Sequence, residues 1–265
     1  MTQPEPNISV NVDVTNPGQF FACCGLLALA DRLWLGAEGW FESGDEKFLM
    51  SADGTLDALV KASAAAKLIP MRPSDPYATP IIVGDPFRQL AVDWWETDMT
   101  GARDLKVWAG TMESFGIAEA MQYAMRSPDF CTPDLFDIAM VVTTPQNPGK
   151  KKEPYYFDAR RAPNAHSRDI GFSPNDLGMT SLAHPAVELL CLIGLQVARP
   201  VPGGRPRVYD YFTWHSPFLP SLLLPASTGS IRLPDACGYR FENWFRTGQR
   251  KHKAFRSATA ITRGD

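Results

Sequence analysis

Clustered cations with aromatic side chains between them are the part of this sequence best equipped for chemistry. Lys150-Lys151-Lys152 follow Gln146-Asn147-Pro148-Gly149, and Arg160, Arg161 and Arg168 come soon after. Arg205 and Arg207 stand in Gly-Gly-Arg-Pro-Arg. From Arg240 to Arg263 seven cations, among them Arg246, Arg250, Lys251 and Lys253, are set against one acid, Glu242. Tyr155, Tyr156, Phe157, Phe172, Tyr239, Trp244, Phe245 and Phe255 are interleaved with them. Cations neutralise phosphates and rings stack on bases, so the mixture suits a nucleic acid. The amides of Gln146 and Asn147 can pair with base edges. A solvated loop and a charged tail are the competing readings of the same residues.

Other chemistries have less behind them. The N–H groups where an apolar helix begins, around Asn16, Gly18 and Gln19, can hold a phosphate, and so can Lys106 with the N–H groups after it. A packing turn is the plainer reading of the first. For the second, a strand-to-helix connection with a core Trp108 serves equally well. Neither G-x-G-x-x-G nor G-x-x-x-x-G-K-[ST] occurs. Cys23 and Cys24 lie inside Phe-Phe-Ala-Cys-Cys-Gly-Leu-Leu and read as core thiols. The histidines at 166, 184, 215 and 252 are dispersed, whereas zinc needs clustered ligands, so neither a metal nor a cofactor is expected. Asp93, Asp158 and Asp169 sit near aromatics, yet spacing pairs none of them as acid and base. His166 with Tyr155, Tyr156 and Lys152 leaves open a metal-independent ribonuclease.

These residues need a scaffold, and the pattern of apolar positions outlines one. Residues 8–14 alternate as a strand, Asn16-Pro17-Gly18 turns the chain, and 19–35 form a helix apolar on nearly every side. A hairpin over 39–51 and an Ala-rich helix over 55–69 follow. Residues 70–86 read as a Pro-rich connection, 87–95 as a strand, 111–126 as a helix and 135–143 as an apolar strand. Residues 146–152 read as a flexible basic loop and 155–158 as a short strand. Pro185 starts a helix over 184–197. Strands are expected over 208–214, around Ile231 and over 239–244, with a partly helical tail from Arg246. The fold class is α+β, with a mixed or antiparallel sheet, packed helices and a ferredoxin-like opening. One domain over 1–265 is expected, with 70–86 and 144–152 as points of subdivision.

With 265 residues and 45% hydrophobic content, the chain can bury a sizeable core. Its net charge of −3 excludes a global basic field, so any nucleic-acid contact must be local. Five cysteines without C-x-x-C spacing read as reduced thiols. The polar start MTQPEPNIS lacks an apolar signal core, and no apolar run is long enough to span a bilayer. A soluble cytoplasmic protein is expected.

Several segments together resemble one family. They are Val12–Leu27, Ala37-Glu-Gly-Trp-Phe41, Asp93-Trp-Trp95, Leu105–Gly110, Tyr155-Tyr-Phe-Asp158, Asp169–Ser173, Glu188–Gln196 and Tyr209–Trp214. They resemble the small Cas protein of type I-U (also called I-G) CRISPR loci, a compact counterpart of the Cascade large subunit. The likeness runs over roughly residues 8–256. It implies a non-catalytic subunit of a crRNA-guided surveillance complex. Such a subunit reads the protospacer-adjacent motif on target double-stranded DNA and helps open the strands. It also docks the CRISPR helicase-nuclease beside the backbone and 5′-handle-binding Cas subunits. The acidic overall charge departs from a freestanding DNA binder and suits a subunit that gains affinity by assembly. Two alternatives stand beside this reading. One is a crRNA-processing endoribonuclease using His166 or His252; the other is a scaffold subunit without nucleic-acid contact.

Overall fold

A computed structural model describes residues 4–74, 80–96, 102–108, 112–161, 182–246 and 252–261, with Ala102, Arg103, Phe245, Arg246 and His252 described by backbone alone. The chain opens with β1 (Ile8–Asn11), α1 (Pro17–Leu33), β2 (Glu38–Phe41), β3 (Lys47–Ser51) and α2 (Leu56–Ala65). β3 lies antiparallel between β1 and β2, the strand order of a split β-α-β unit. A ferredoxin-like sheet would place the next strand beside β1. Instead β4 (Leu68–Pro70) starts a separate antiparallel sheet with β5 (Ile81–Val83) and β6 (Leu90–Val92). The ferredoxin-like order therefore stops after three strands.

Helices α3 (Ala102–Leu105) and α4 (Ser114–Ala124) precede a two-stranded hairpin of β7 (Thr143–Thr144) and β8 (Asn147–Lys151). Helix α5 (Pro185–Val197) leads into the last sheet. Its strands are β9 (Val201–Pro202), β10 (Val208–Phe212), β11 (Gly238–Arg246), β12 (His252–Phe255) and β13 (Thr259–Ile261), with α6 (Leu223–Ser227) inserted after β10. Every strand pairing among the described residues is antiparallel, and the fold is α+β. No helix among the described residues is long and apolar enough to cross a membrane.

Two helices carry the core. Of the 17 residues of α1, 14 are buried, which places it between other layers rather than on a surface. Phe20 stacks on Phe41 of β2 at 5.3 Å and meets Tyr211 of β10 at 4.5 Å, so one side chain ties the first sheet to the last. Gly18 faces Val187, while Gly25 meets Leu190 and Gly194, so α1 and α5 run in the same direction. A Cβ on Gly25 would collide with the Leu190 carbonyl oxygen, and one on Gly194 with that of Phe21. The mid-helix glycines therefore set the interaxial distance. A second aromatic cluster of Trp94, Trp95, Trp108, Tyr155 and Phe157 closes the other side, with Trp94 Nε1 donating to the Leu192 carbonyl at 3.0 Å.

Several expected elements differ. Of the 135–143 segment, residues 135–142 are turns and irregular chain carrying the isolated bridge of Met140 to Ala183, and only Thr143 enters a strand. Their apolar residues do not alternate, and Leu135 and Phe136 are buried side by side. Residues 146–152 form hairpin rather than loop. Residues 155–158 are no strand: Tyr156 has a φ of 78°, and the N–H groups of Phe157 and Asp158 bond to a side chain. Only Leu90–Val92 of the 87–95 segment is extended, the 70–86 connection contains β5, and Ile231 lies in a bend. In the tail from Arg246, the described residues 252–261 carry β12 and β13 rather than helix.

Replacing Gly25 by Ala is expected to destabilise the protein by about 3 kcal/mol, because backbone must move to admit the methyl group. Gly116→Ala in α4 meets only the flexible ends of Lys152 and Glu113 and is expected to change stability by less than about 1 kcal/mol. Urea unfolding of both variants checks the contrast.

Candidate nucleic-acid interface

All five residues of β8 are exposed, so the hairpin stands out from the fold with Lys150 and Lys151 on its surface. Its turn is built by local side-chain bonds. Thr144 Oγ1 donates to the Asn147 carbonyl at 3.0 Å, and Asn147 Oδ1 accepts the Gly149 N–H at 3.2 Å. Gln146 Nε2 donates to Glu119 Oε2 of α4 at 2.9 Å, tying the turn to the helix. Both amides thus have a scaffolding role. Lys152 differs from its neighbours: it is half-buried, and burial lowers its amine pKa, against the opposing charge of Glu113. It anchors the base of the hairpin through its N–H to the Val142 carbonyl at 2.9 Å.

A second group assembles from segments far apart in the chain. The Asn243 N–H donates to the Arg207 carbonyl at 2.8 Å, and the Lys253 N–H donates to that of Val107 at 2.9 Å. These bonds bring the turn of Arg205 and Arg207, the segment of Lys106, and the β11–β12 pair to one end of the last sheet. Arg205 is exposed. Arg207 Nη2 is 4.0 Å from Glu242 Oε1. Burial lowers the Lys253 pKa, with Asp104 opposing and Arg207 reinforcing the shift. Lys106 lies 5.2 Å from the centre of the Trp108 ring and well before the start of α4, so it does not serve that helix N-terminus. Arg168, Arg250 and Lys251, together with His166, lie outside the described residues.

The remaining expected contacts are spent inside the protein. Asn16 Oδ1 accepts the N–H groups of Gly18 (3.1 Å) and Ala159 (3.0 Å), while its Nδ2 donates to Asp158 Oδ1 at 2.9 Å. Gln19 Oε1 accepts the Asp13 N–H at 2.7 Å. Gly18 is pressed against the Phe157 carbonyl. All three residues are buried, so the start of α1 binds the 157–159 segment where a phosphate was expected. Arg160 is consumed as well. Its Nε and Nη2 donate to Asp158, its Nη1 to Asp137 Oδ1 at 2.7 Å, and its Nη2 also to the Phe136 carbonyl at 2.6 Å. Arg161 is buried over Tyr156, 5.6 Å from the ring centre, with Nη2 3.9 Å from Glu153 Oε2. Its Nε and Nη2 make no hydrogen bond to the described residues.

No family model, curated protein or solved structure matches the chain. The geometry therefore carries the functional argument.

Asp158 gains partners that spacing did not offer. His184, the N-cap residue of α5, places Nδ1 3.2 Å from Asp158 Oδ2, an ion-pair distance without hydrogen-bond geometry. Glu188, fully buried in the first turn of α5, accepts the N–H groups of Phe157 (3.2 Å) and Asp158 (3.1 Å). Burial alone would raise the Asp158 pKa, but Arg160 and His184 outweigh it and hold the carboxyl below its ordinary value. Burial, then the Asp158 charge, pushes Glu188 up to about 7 against its two amide bonds. Burial lowers the His184 pKa. An acidic residue in a helix's first turn was the only sequence signal for Glu188. Cys23, Cys24 and Cys191 are fully buried and their pKa values raised by burial, which disfavours the nucleophilic thiolate.

A carboxyl whose folded pKa lies above its unfolded value contributes stability below the unfolded pKa and loses it as pH rises through the folded one. Relative to Glu188→Gln, the wild-type chain is therefore expected to lose about 3 kcal/mol between pH 4.5 and pH 7 and to run parallel above that. Urea unfolding of both proteins across that range checks it, and curves parallel throughout would refute the buried-acid assignment. Asn16→Ala, which uncaps α1, leaves the Ala159 N–H without its acceptor and removes one donor to Asp158, is expected to cost about 2 kcal/mol in the same assay.

Proposed function

We propose that the chain is a non-catalytic subunit of a crRNA-guided CRISPR surveillance complex of the Cascade kind, acting in the cytoplasm. In this reading it touches target double-stranded DNA near the protospacer-adjacent motif and assists strand opening. It docks against the backbone and 5′-handle-binding Cas subunits and the helicase-nuclease. Two supports converge on it. One is the resemblance over residues 8–256. The other, which carries the argument, is the hairpin: a two-stranded ribbon is narrow enough for the major groove, and this one presents Lys150 and Lys151 on a chain of net negative charge. Gln146 and Asn147 lie at its turn, where base edges would be met. The non-catalytic part rests on the use made of Asp158, His184 and Glu188, whose bonds go to α1, α5 and the segment between them.

In this reading Lys150 and Lys151 make two phosphate contacts where the lysine run suggested three, since Lys152 braces the base of the hairpin. In the complex reconstituted with crRNA, Lys150→Ala/Lys151→Ala is expected to weaken duplex binding. It should also flatten the slope of log K against log salt by about 1.8. An unchanged slope removes the hairpin from the DNA contact, and failure of the full chain to co-assemble with the other subunits removes the complex itself.

A further inference from the structure

The turn between β5 and β6 carries a cationic feature that the hairpin reading does not use. Arg88 and Gln89, neighbours in that turn, have φ of 52° and 54°. Both lie in the left-handed region, where Gly or Asn is the usual residue and other side chains strain the backbone. Arg32, in the last turn of α1, reaches across to the same turn. Its Nη1 donates to the Phe87 carbonyl at 3.0 Å and lies 3.4 Å from that of Arg88. Among the described residues that is all its bonding: Nε and Nη2 are neither hydrogen-bonded nor sealed from solvent. Arg88 is exposed, and its side chain makes no bond to the described residues. The two guanidiniums nevertheless feel each other: burial, then the Arg88 charge, lowers the Arg32 pKa, with Asp31 opposing. Among the described residues no carboxylate is within ion-pair distance of either. Asp31 spends Oδ1 on the Gly36 N–H at 2.8 Å, and Asp85 stands exposed at the start of the turn.

We propose that Arg32 and Arg88 form a binding site for a phosphate group, held between the two guanidiniums. Each guanidinium offers a planar fork of N–H donors, and a phosphate has oxygens enough to meet two forks, whereas a carboxylate fills one. An anion between them also removes the repulsion that the fold imposes on the pair. The backbone supports the same reading. A turn that had only to reverse the chain would be served better by Gly at 88, and strain of this kind collects where a side chain is needed for binding. The site stands on α1 and the β5–β6 turn alone and does not rest on the hairpin. Its phosphate comes either from a nucleic-acid backbone or from a free phosphate ion, since both present the same oxygens.

The test follows the arginine Nε–H signals of the full-length chain in proton–nitrogen correlation spectra during titration with inorganic phosphate, a short oligo(U) and acetate. Phosphate is expected to shift the Arg32 and Arg88 signals along one binding curve. Arg88→Gly removes the second fork and relieves the turn. It should weaken phosphate at Arg32 by about tenfold and leave the urea midpoint no lower than that of the wild-type chain. Arg88→Lys keeps the charge without the fork and should recover only part of the loss. Lys150→Ala/Lys151→Ala should leave the phosphate curve at Arg32 unchanged, so this site and the hairpin can fail separately. Oligo(U) binding at the same two signals about tenfold more tightly than phosphate assigns the group to a nucleic-acid backbone; equal or weaker binding assigns it to the free ion. No shift at Arg32 with phosphate or oligo(U), an undiminished curve in Arg88→Gly, or acetate acting as strongly as phosphate would each overturn the site. A urea midpoint lowered by Arg88→Gly would make Arg88 a brace of the turn and overturn it as well.

Discussion

Two helix N-termini pointing at one short stretch of chain are the constraint on which the rest of the structure depends. Because α1 and α5 lie side by side in the same direction, their dipoles do not cancel, and the positive ends meet at residues 157–159. That end is out of water and needs negative charge and acceptors. Asp158 and Glu188 provide them, and Asn16 joins one helix start to the segment facing both. Once two carboxyls are buried together, they need a counterweight, which is the work of Arg160. The polar cluster therefore follows from helix direction, and the closeness of the two helices follows from glycines that let their backbones touch.

The elements visible in the sequence are those whose local pattern agrees with their tertiary role. Helix α1 follows Asn-Pro-Gly and is apolar throughout, α5 starts at a proline, and α2 follows its Thr55 cap. The hairpin of β2 and β3 turns at Ser43-Gly44-Asp45, where Gly44 and Asp45 both have positive φ. Misread segments have backbone groups that bond to distant side chains. Tyr155–Asp158 has the composition of a strand, yet its amides are claimed by Glu188, about thirty residues on. The strands of the tail were hidden because basic residues dilute the alternation that Phe255 and its neighbours carry.

At the candidate interface, composition alone could not sort cations by duty. Lys150 and Lys152 are two residues apart in one run, but one is on the surface and the other is folded against Glu113. Arg160 and Arg161 look like a phosphate clamp and are instead a carboxylate partner and a buried stacking residue. What separates these fates is the presence of an acid nearby in space; for Arg160 one such acid, Asp158, is two residues away, and the second, Asp137, is 23. The Arg32 and Arg88 pair was likewise out of reach, because 56 residues separate the two in the chain.

The pairing of α1 with α5 also dictates an order of events during synthesis. Asn16 and Asp158 are separated by 142 residues, and α5 lies further on still. Until that later chain exists, α1 has no companion for its glycine face, and Phe20 and Phe21 lack Tyr211. A helix that is apolar on nearly every side has only the early β-strands to cover part of it while more than half of the polypeptide leaves the ribosome. Contacts closing so large a loop form late and slowly. The nascent chain is thus most vulnerable to aggregation before α5 emerges, and its yield in a cell depends on how well that interval is shielded.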